Sequence, residues 1–314
     1  PVRYFGLGEF AALIVSARRL SSGGHMPIGE SKEIRMRFGI KTAPQHTTWN
    51  EMLDVWRAAD AIELFESAWN FDHFYPLVGD TEGPCLEAWV TLSALAQMTT
   101  RIRIGCMVNG TPYRHPAVLA NMAASLDIVS GGRLELGLGA GWNKQESEAY
   151  GIDLLPMGQR MDRFEESVEV ITRLLGNEST TFKGKYFNLT DARCEPKGPQ
   201  QPAPPIVIGG GGEKRTLRIA ARFAQHWNLP FAPPDVFMKK HEILLGHCDA
   251  VGRDPSEILC SVQIAYAADQ DPLEAVGQAA ALFEAGVGMV IFTLRTPYRV
   301  DRVNALAKAL ETLG

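Results

Sequence analysis

Gly137-Leu-Gly139-Ala-Gly141-Trp-Asn143 and Ile208-Gly-Gly-Gly-Gly212-Glu-Lys214-Arg215-Thr216 are two glycine-rich junctions in one chain. Each follows an apolar run and opens a helical pattern. Glycine at such a junction lets backbone N–H groups approach an anion, and a helix N-terminus adds about half a positive charge. Each junction is therefore either a phosphate-type cradle or a tight strand-to-helix turn, and two cradles in one domain imply a phosphorylated cofactor. Neither is a nucleotide fingerprint. Gly141 follows Gly139 by two positions rather than three, and the turn comes after the fourth strand candidate rather than the first. Lys214 lacks the P-loop spacing from Gly209 and has no serine or threonine directly after it.

Outward from these junctions, β-then-α alternation runs through the chain. Strand candidates fall at 36–40, 66–71, 102–108, 134–139, 206–208, 226–229, 258–266 and 289–294, with helical patterns at 49–65, 86–98, 116–129, 157–175, 213–223, 234–251, 272–285 and 300–313. Eight strands each followed by a helix is the order of an α/β protein of the (β/α)8 TIM-barrel type, which takes about 250 residues. The surplus in this 314-residue chain sits after the fourth βα unit. There 181–189 reads as a short hairpin and 196–205 as a proline-rich connection, together either a lid over the barrel mouth or a surface excursion. Residues 1–35 show no sustained period and read as a loosely ordered extension, leaving 36–314 as the barrel domain.

With 46% hydrophobic and 21% charged residues, the chain can bury one barrel-sized core. A net charge of −5 and the absence of a basic block argue against nucleic acid or an anionic membrane as partners, leaving small molecules or further copies of the chain. The five cysteines (Cys85, Cys106, Cys194, Cys248 and Cys260) are odd in number and scattered. They suggest neither a disulfide framework nor a thiolate zinc site, and a reducing cytoplasm is expected. No apolar run approaches the ~20 residues of a membrane span. The apolar stretch 10–17 is followed rather than preceded by Arg18 and Arg19, so no secretion signal is expected. His241 and His247 are six positions apart rather than the four that share a helical face, so no metal site is expected either.

Active sites of such barrels lie at the C-terminal ends of the strands. Six segments qualify: Asn70-Phe-Asp72-His73-Phe74, Cys106-Met107-Val-Asn109, Gly139-Ala140-Gly141-Trp-Asn143, Gly209-Gly210-Gly211-Gly212, Trp227-Asn228, and Arg295. Taken together with Tyr113-Arg-His-Pro-Ala-Val-Leu119 and Gly131-Gly-Arg-Leu-Glu-Leu-Gly137, residues 36–313 resemble the bacterial luciferase-like family, within it the oxidoreductases that use the deazaflavin coenzyme F420.

The resemblance implies a hydride transfer between F420 and a small, apolar organic substrate. His73 would face the reactive ring edge to orient substrate or move a proton, and Asp72 would either hold the ring nitrogen edge or brace His73. Cys106 and Met107 would flank a non-proline cis peptide behind the ring. Asn70, Asn109, Gly139, Ala140, Gly141, Asn143, Gly209, Gly210, Gly211 and Gly212 would complete the cofactor site, and Lys214 and Arg215 are either solvated or reach an acidic cofactor tail. Trp142 and Leu77 stand where sugar-phosphate dehydrogenases of the family carry an acid and a tryptophan. That disfavours a sugar phosphate and, with Trp69 and Trp227, suggests an apolar pocket. Two alternatives stay open: an FMN monooxygenase supplied with reduced cofactor by a flavin or F420 reductase, and a non-catalytic flavin or deazaflavin binder. Members of the family are often homodimers, which is the assembly expected here.

Overall fold

A computed structural model describes residues 36–313; the expected extension at 1–35 lies outside the described residues. Eleven strands are present among them: β1 (Arg37–Lys41), β2 (Phe65–Asn70), β3 (Arg103–Cys106), β4 (Asn109–Gly110), β5 (Leu134–Gly139), β6 (Thr180–Lys183), β7 (Asn188–Ala192), β8 (Ile206–Gly209), β9 (His226–Pro230), β10 (Leu259–Tyr266) and β11 (Met289–Leu294). Parallel pairing joins β3-β2-β1-β11-β10-β9-β8-β5, and a β3–β5 pairing closes the ring. With the short β4 continuing β3 past a break, this is an eight-stranded (β/α)8 barrel.

The surrounding helices are α1 (Trp49–Ala61), α2 (Ala88–Met98), α3 (Pro116–Val129), α5 (Met157–Gly176), α6 (Thr216–Phe223), α7 (Pro234–Val251), α8 (Pro272–Glu284) and α9 (Val300–Leu310), and α4 (Lys144–Ala149) is an extra turn in the loop after β5. Local chemistry sets their starts: α1 begins on a Thr48/Glu51 capping box, and α8 on Asp271, which accepts from the Leu273 N–H. Among the described residues no helix is long and apolar enough to cross a membrane.

Two expectations are corrected. The Met107 N–H still bonds the Asn70 carbonyl (2.9 Å), so pairing with β2 continues past Cys106, the last residue of β3. The cis peptide is Met107–Val108, not a bond flanked by Cys106 and Met107. Val108 then leans on the neighbouring strands, where a Cβ on Gly139 or Gly209 would lie 2.6 or 2.9 Å from its methyl groups. A Cβ on Gly137 would lie 2.1 Å from the Cys106 carbonyl oxygen. Glycine in β5 and β8 is thus accounted for by this close approach. The insertion forms the expected antiparallel hairpin, β6–β7, but not as a lid over the mouth. Glu166 of α5 accepts the N–H groups of Lys185, Tyr186 and Phe187 at its tip (2.8 to 3.3 Å) and holds it against the helical layer. The following segment returns to the far end of the barrel, where Gln200 bonds Asp127 and the Leu134 carbonyl.

Side chains alternate along each strand, so one set packs under the helices and the other fills the barrel. The inner set divides into two halves. Trp69, Met107, Val207, Met289 and Ile291 form an apolar cluster, and the other half is a chain of hydrogen bonds. Lys41 Nζ donates to Gln263 Oε1 (2.8 Å), Gln263 to Asn228 Oδ1 (2.5 Å), Asn228 to Ser261 Oγ (2.8 Å), and Ser261 meets His226 Nε2 at 2.6 Å. His226 Nδ1 donates to Glu135 (3.0 Å), which also accepts from Arg103 (2.6 Å). Burial pushes the Glu135 carboxyl up, but His226 and Arg103 outweigh it and hold it down at about 2.

The Glu135 carboxylate therefore contributes stability that is fully present above its unfolded value near 4.5 and is lost as pH falls toward 2. Replacing it with glutamine (Glu135→Gln) is expected to cost about 3 kcal/mol at pH 7 and to flatten the loss of stability below about pH 4.5. Urea titrations of both proteins at pH 7 and pH 3 check this; equal stability at pH 7 contradicts it. For the bulge, Gly137→Ala is expected to cost about 1 to 3 kcal/mol or more through overpacking, read as a lower melting temperature, and an unchanged melting curve removes the account of these glycines.

A candidate active site at the barrel mouth

His73 follows β2 at the C-terminal end of the barrel. Its Nδ1 lies 2.7 Å from Glu146 Oε2, while the Phe74 N–H donates to Glu146 Oε1 (2.6 Å) and the Tyr113 hydroxyl also donates to this carboxylate. Because an ionised carboxylate can only accept, Nδ1 carries a proton, and in the neutral imidazole Nε2 holds the lone pair. No protein group among the described residues pairs with Nε2, and the ring retains 11% exposure. Burial works to raise the Glu146 carboxyl, but the donors from His73, Tyr113 and Phe74 outweigh it and keep it below its ordinary value. Trp142, exposed, stands edge-on to the His73 ring at 5.7 Å, and Phe71 and Tyr113 close two other sides.

Glu146 was not among the expected site residues. Its signal was present as Asn143-x-x-Glu146, the spacing of a cap and its third helical residue. Asn143 Oδ1 accepts the Glu146 N–H (3.2 Å) and starts α4. The Gly139–Asn143 junction therefore ends in a six-residue helix that its own side chain caps, and its work is to aim a buried acid at His73. Gly141, at φ +79°, makes the required left-handed turn.

The other expected residues separate according to what already engages them. Asp72 is buried. Its Oδ2 accepts from Arg114 (2.6 Å) and the Gly110 N–H (3.1 Å), so it braces that loop while Glu146 braces His73. Burial raises the Asp72 carboxyl and Arg114 offsets this in part. Among the described residues Asp72 Oδ1 has no donor. Asn70 points outward and donates to the Ala88 carbonyl (2.8 Å), because strand alternation places Trp69, not Asn70, inside the barrel. Asn109 spends both ends of its amide, on Trp89 and the Gly137 carbonyl. Cys106 is 1% exposed, with burial pushing its thiol well above the ordinary value, while Met107 joins the inner cluster. Ala140 packs against the core beside the turn. Trp69 and Trp227 are fully buried, which leaves Trp142 and Leu77 as the apolar candidates at the mouth.

The second glycine run is different. Gly210, at φ +116°, turns the chain away from β8, and α6 starts at Thr216 with no side-chain cap on its first N–H groups. Gly211, Gly212, Lys214, Thr216 and Lys240 line a cavity of about 410 Å³ in front of that helix. Lys240 is paired with Glu213 (2.7 Å), and Arg215 with Asp162 and Glu165. A glycine run, an uncapped helix start and an exposed Lys214 are the donor set a phosphate requires. With Asp72 Oδ1 as an orphaned acceptor near the other end of the mouth, the residues present fit a phosphorylated cofactor with a hydrogen-bonding ring. Of the two histidines on α7, His241 stacks on Phe237 and His247 bonds the Glu213 carbonyl.

The chain has relatives among known proteins. The chain is 31% identical to the F420-dependent glucose-6-phosphate dehydrogenase of Microbacterium testaceum (strain StLB037) over 76% of this chain and 70% of that protein. It is 32% identical to the 4-hydroxyprotoasukamycin monooxygenase of Streptomyces nodosus subsp. asukaensis over 60% of this chain and 51% of that protein, about half the relative's length. An F420-dependent secondary alcohol dehydrogenase, solved in complex with an F420-acetone adduct, shares the fold with a TM-score of 0.79 at 20% identity, covering 88% of this chain and 99% of that one. The family model described as luciferase-like monooxygenase matches residues 36–313, and the chain belongs to that family of oxidoreductases.

Proposed function

We propose that this protein transfers a hydride between coenzyme F420 and a small organic substrate, with His73 moving the accompanying proton. The observation that carries the reading is His73 itself, with Nδ1 held on the buried Glu146 and Nε2 unpaired at the mouth. F420 supplies, when bound, the carbon that accepts or gives the hydride. The protein supplies position and a base. Glu146 fixes the tautomer and stabilises the imidazolium that forms when Nε2 takes a substrate proton, as an acid behind a histidine generally does. Gly211, Gly212 and the start of α6 would hold the phosphate, Lys214 would reach toward an acidic tail, and Asp72 Oδ1 would accept from the ring edge. Trp142 and Leu77 would supply an apolar wall for the substrate. The 31% identity to an F420-dependent dehydrogenase supports this cofactor, and the 32% identity to a monooxygenase keeps FMN, with a partner reductase, as the second reading. A homodimer is the proposed assembly.

Titration of the purified protein with F420 and with FMN, followed by fluorescence, tests the cofactor. F420 is expected to bind at least tenfold more tightly, a difference of about 1.4 kcal/mol, and a tenfold preference for FMN replaces this reading with the monooxygenase. For the site, His73→Ala is expected to cut turnover by about 100-fold or more while F420 affinity stays within about threefold. Glu146→Gln is expected to lower kcat more than it changes KM for F420. Undiminished turnover in His73→Ala removes the assignment, and loss of F420 binding without a change in turnover per bound enzyme favours a mere binding role for the histidine.

A further inference from the structure

The glycine cradle and the Met107–Val108 bulge occupy the side of the mouth formed by β3, β5 and β8. The opposite side is formed by β10, β11 and β1, and two cations stand on it. Lys41 is the last residue of β1 and pairs in register with Thr293 of β11. Arg295 lies two residues beyond Thr293, so alternation puts it on the same face of the barrel wall, and its N–H bonds the Tyr266 carbonyl (3.1 Å). Lys41 spends one proton on Gln263, a neutral acceptor that Thr293 also approaches (3.5 Å).

Among the described residues neither cation has a carboxylate within ion-pair distance, although the neighbouring arginines are engaged. Arg299 pairs with Asp301 (2.7 Å), and Arg302 lies over the Tyr266 ring and donates to the carbonyls of Ala267 and Gln270. Half-buried like charges without a counter-ion are costly, and proteins keep them chiefly where a ligand supplies the missing charge. The position matters as much as the charge. Lys41 is the upper end of a hydrogen-bond chain whose donors point down toward Glu135, where Arg103 pairs with the carboxylate, so the uncompensated charge of the chain is the Lys41 ammonium at the mouth.

We propose that Lys41 and Arg295 bind an oxyanion, carboxylate or phosphate, carried by the substrate, so that the substrate is an anionic small molecule whose apolar body lies toward Trp142. This rests on the reading of the mouth as a hydride-transfer site only for what the anion belongs to; the anion site itself stands without it. The guanidinium fork matches a two-oxygen acceptor and the ammonium adds a point charge. Burial lowers the Lys41 ammonium to about 8, with Arg295 acting in the same sense and the Cys106 thiol against it. Those are the titratable and charged groups that face it, so its charge is present below about pH 8 and fades above. A bound anion would raise that value and hold the ammonium charged.

The test uses the cofactor-free protein with benzoate, phenyl phosphate and neutral benzamide as probes, followed by calorimetry, alongside Lys41→Met, Lys41→Arg and Arg295→Gln. Benzoate or phenyl phosphate is expected to bind at least tenfold more tightly than benzamide, with the tighter of the two naming the oxyanion. Lys41→Met and Arg295→Gln are each expected to weaken the anion about tenfold and leave benzamide and F420 affinities unchanged. Wild-type anion binding should weaken above about pH 8, and Lys41→Arg should keep binding while losing that pH dependence. Anion affinity equal to that of benzamide, or unchanged in both charge-removing variants, overturns the proposal. F420 titration of the same samples reads the hydride-transfer proposal separately, and should Lys41→Met not fold, Arg295→Gln and Lys41→Arg decide the matter.

Discussion

A one-directional hydrogen-bond chain through the barrel, from the Lys41 ammonium to the Glu135 carboxylate, is the interaction on which the rest of the molecule depends. Polar groups in a dry interior are costly unless every partner is present. Here each donor finds the next acceptor, and the last two donors, His226 and Arg103, converge on one carboxylate. The chain ties β1, β10, β9 and β5 together from inside, in addition to the backbone ladders between neighbouring strands. From Lys41 to Glu135 the donors point one way, and Arg103 pairs with the carboxylate at the far end, so the charge left uncompensated is the Lys41 ammonium. The mouth inherits the positive end without any residue there having to face solvent fully.

The bulge after β3 organises the opposite side. Val108 presses on β5 and β8 where a side chain would collide, so the glycines of those strands and the irregular strand explain one another. That relation separates two glycine-rich junctions of similar composition. In the first, the helix is short and its N–H groups are satisfied by Asn143, so the junction positions Glu146. In the second, the helix start is left uncapped beside a cavity, which suits an anion. A glycine run therefore says that the backbone comes close to something, and only the neighbours say to what.

Much of the architecture was legible. Period-two and period-3.6 patterns marked all eight barrel strands and their helices, most within two residues, because each element buries one face against the same core. The resemblance carried by Asp72-His73 and the glycine turns named the family to which the chain belongs. Less of the site's wiring could be read. Asn70 and Asn109 stand at strand ends as a binding residue would, yet alternation and burial turn both toward the protein. Glu146, a residue of an unremarked short helix, is the group that sets the state of His73, and its partner lies 73 positions away in sequence.

Local periodicity, capping and turn chemistry act over a few residues, so the sequence by itself determined the order of strands and helices, the barrel class and the hairpin after the fourth unit. Which polar side chains meet was decided only by closure of the barrel. Closure brings Lys41, Gln263, Asn228, Ser261, His226, Glu135 and Arg103 into one chain and Glu146 onto His73, and a hydrogen bond forms within about 3 Å whatever the separation along the chain. Composition and spacing cannot encode that distance; the packing of eight strands into one ring sets it.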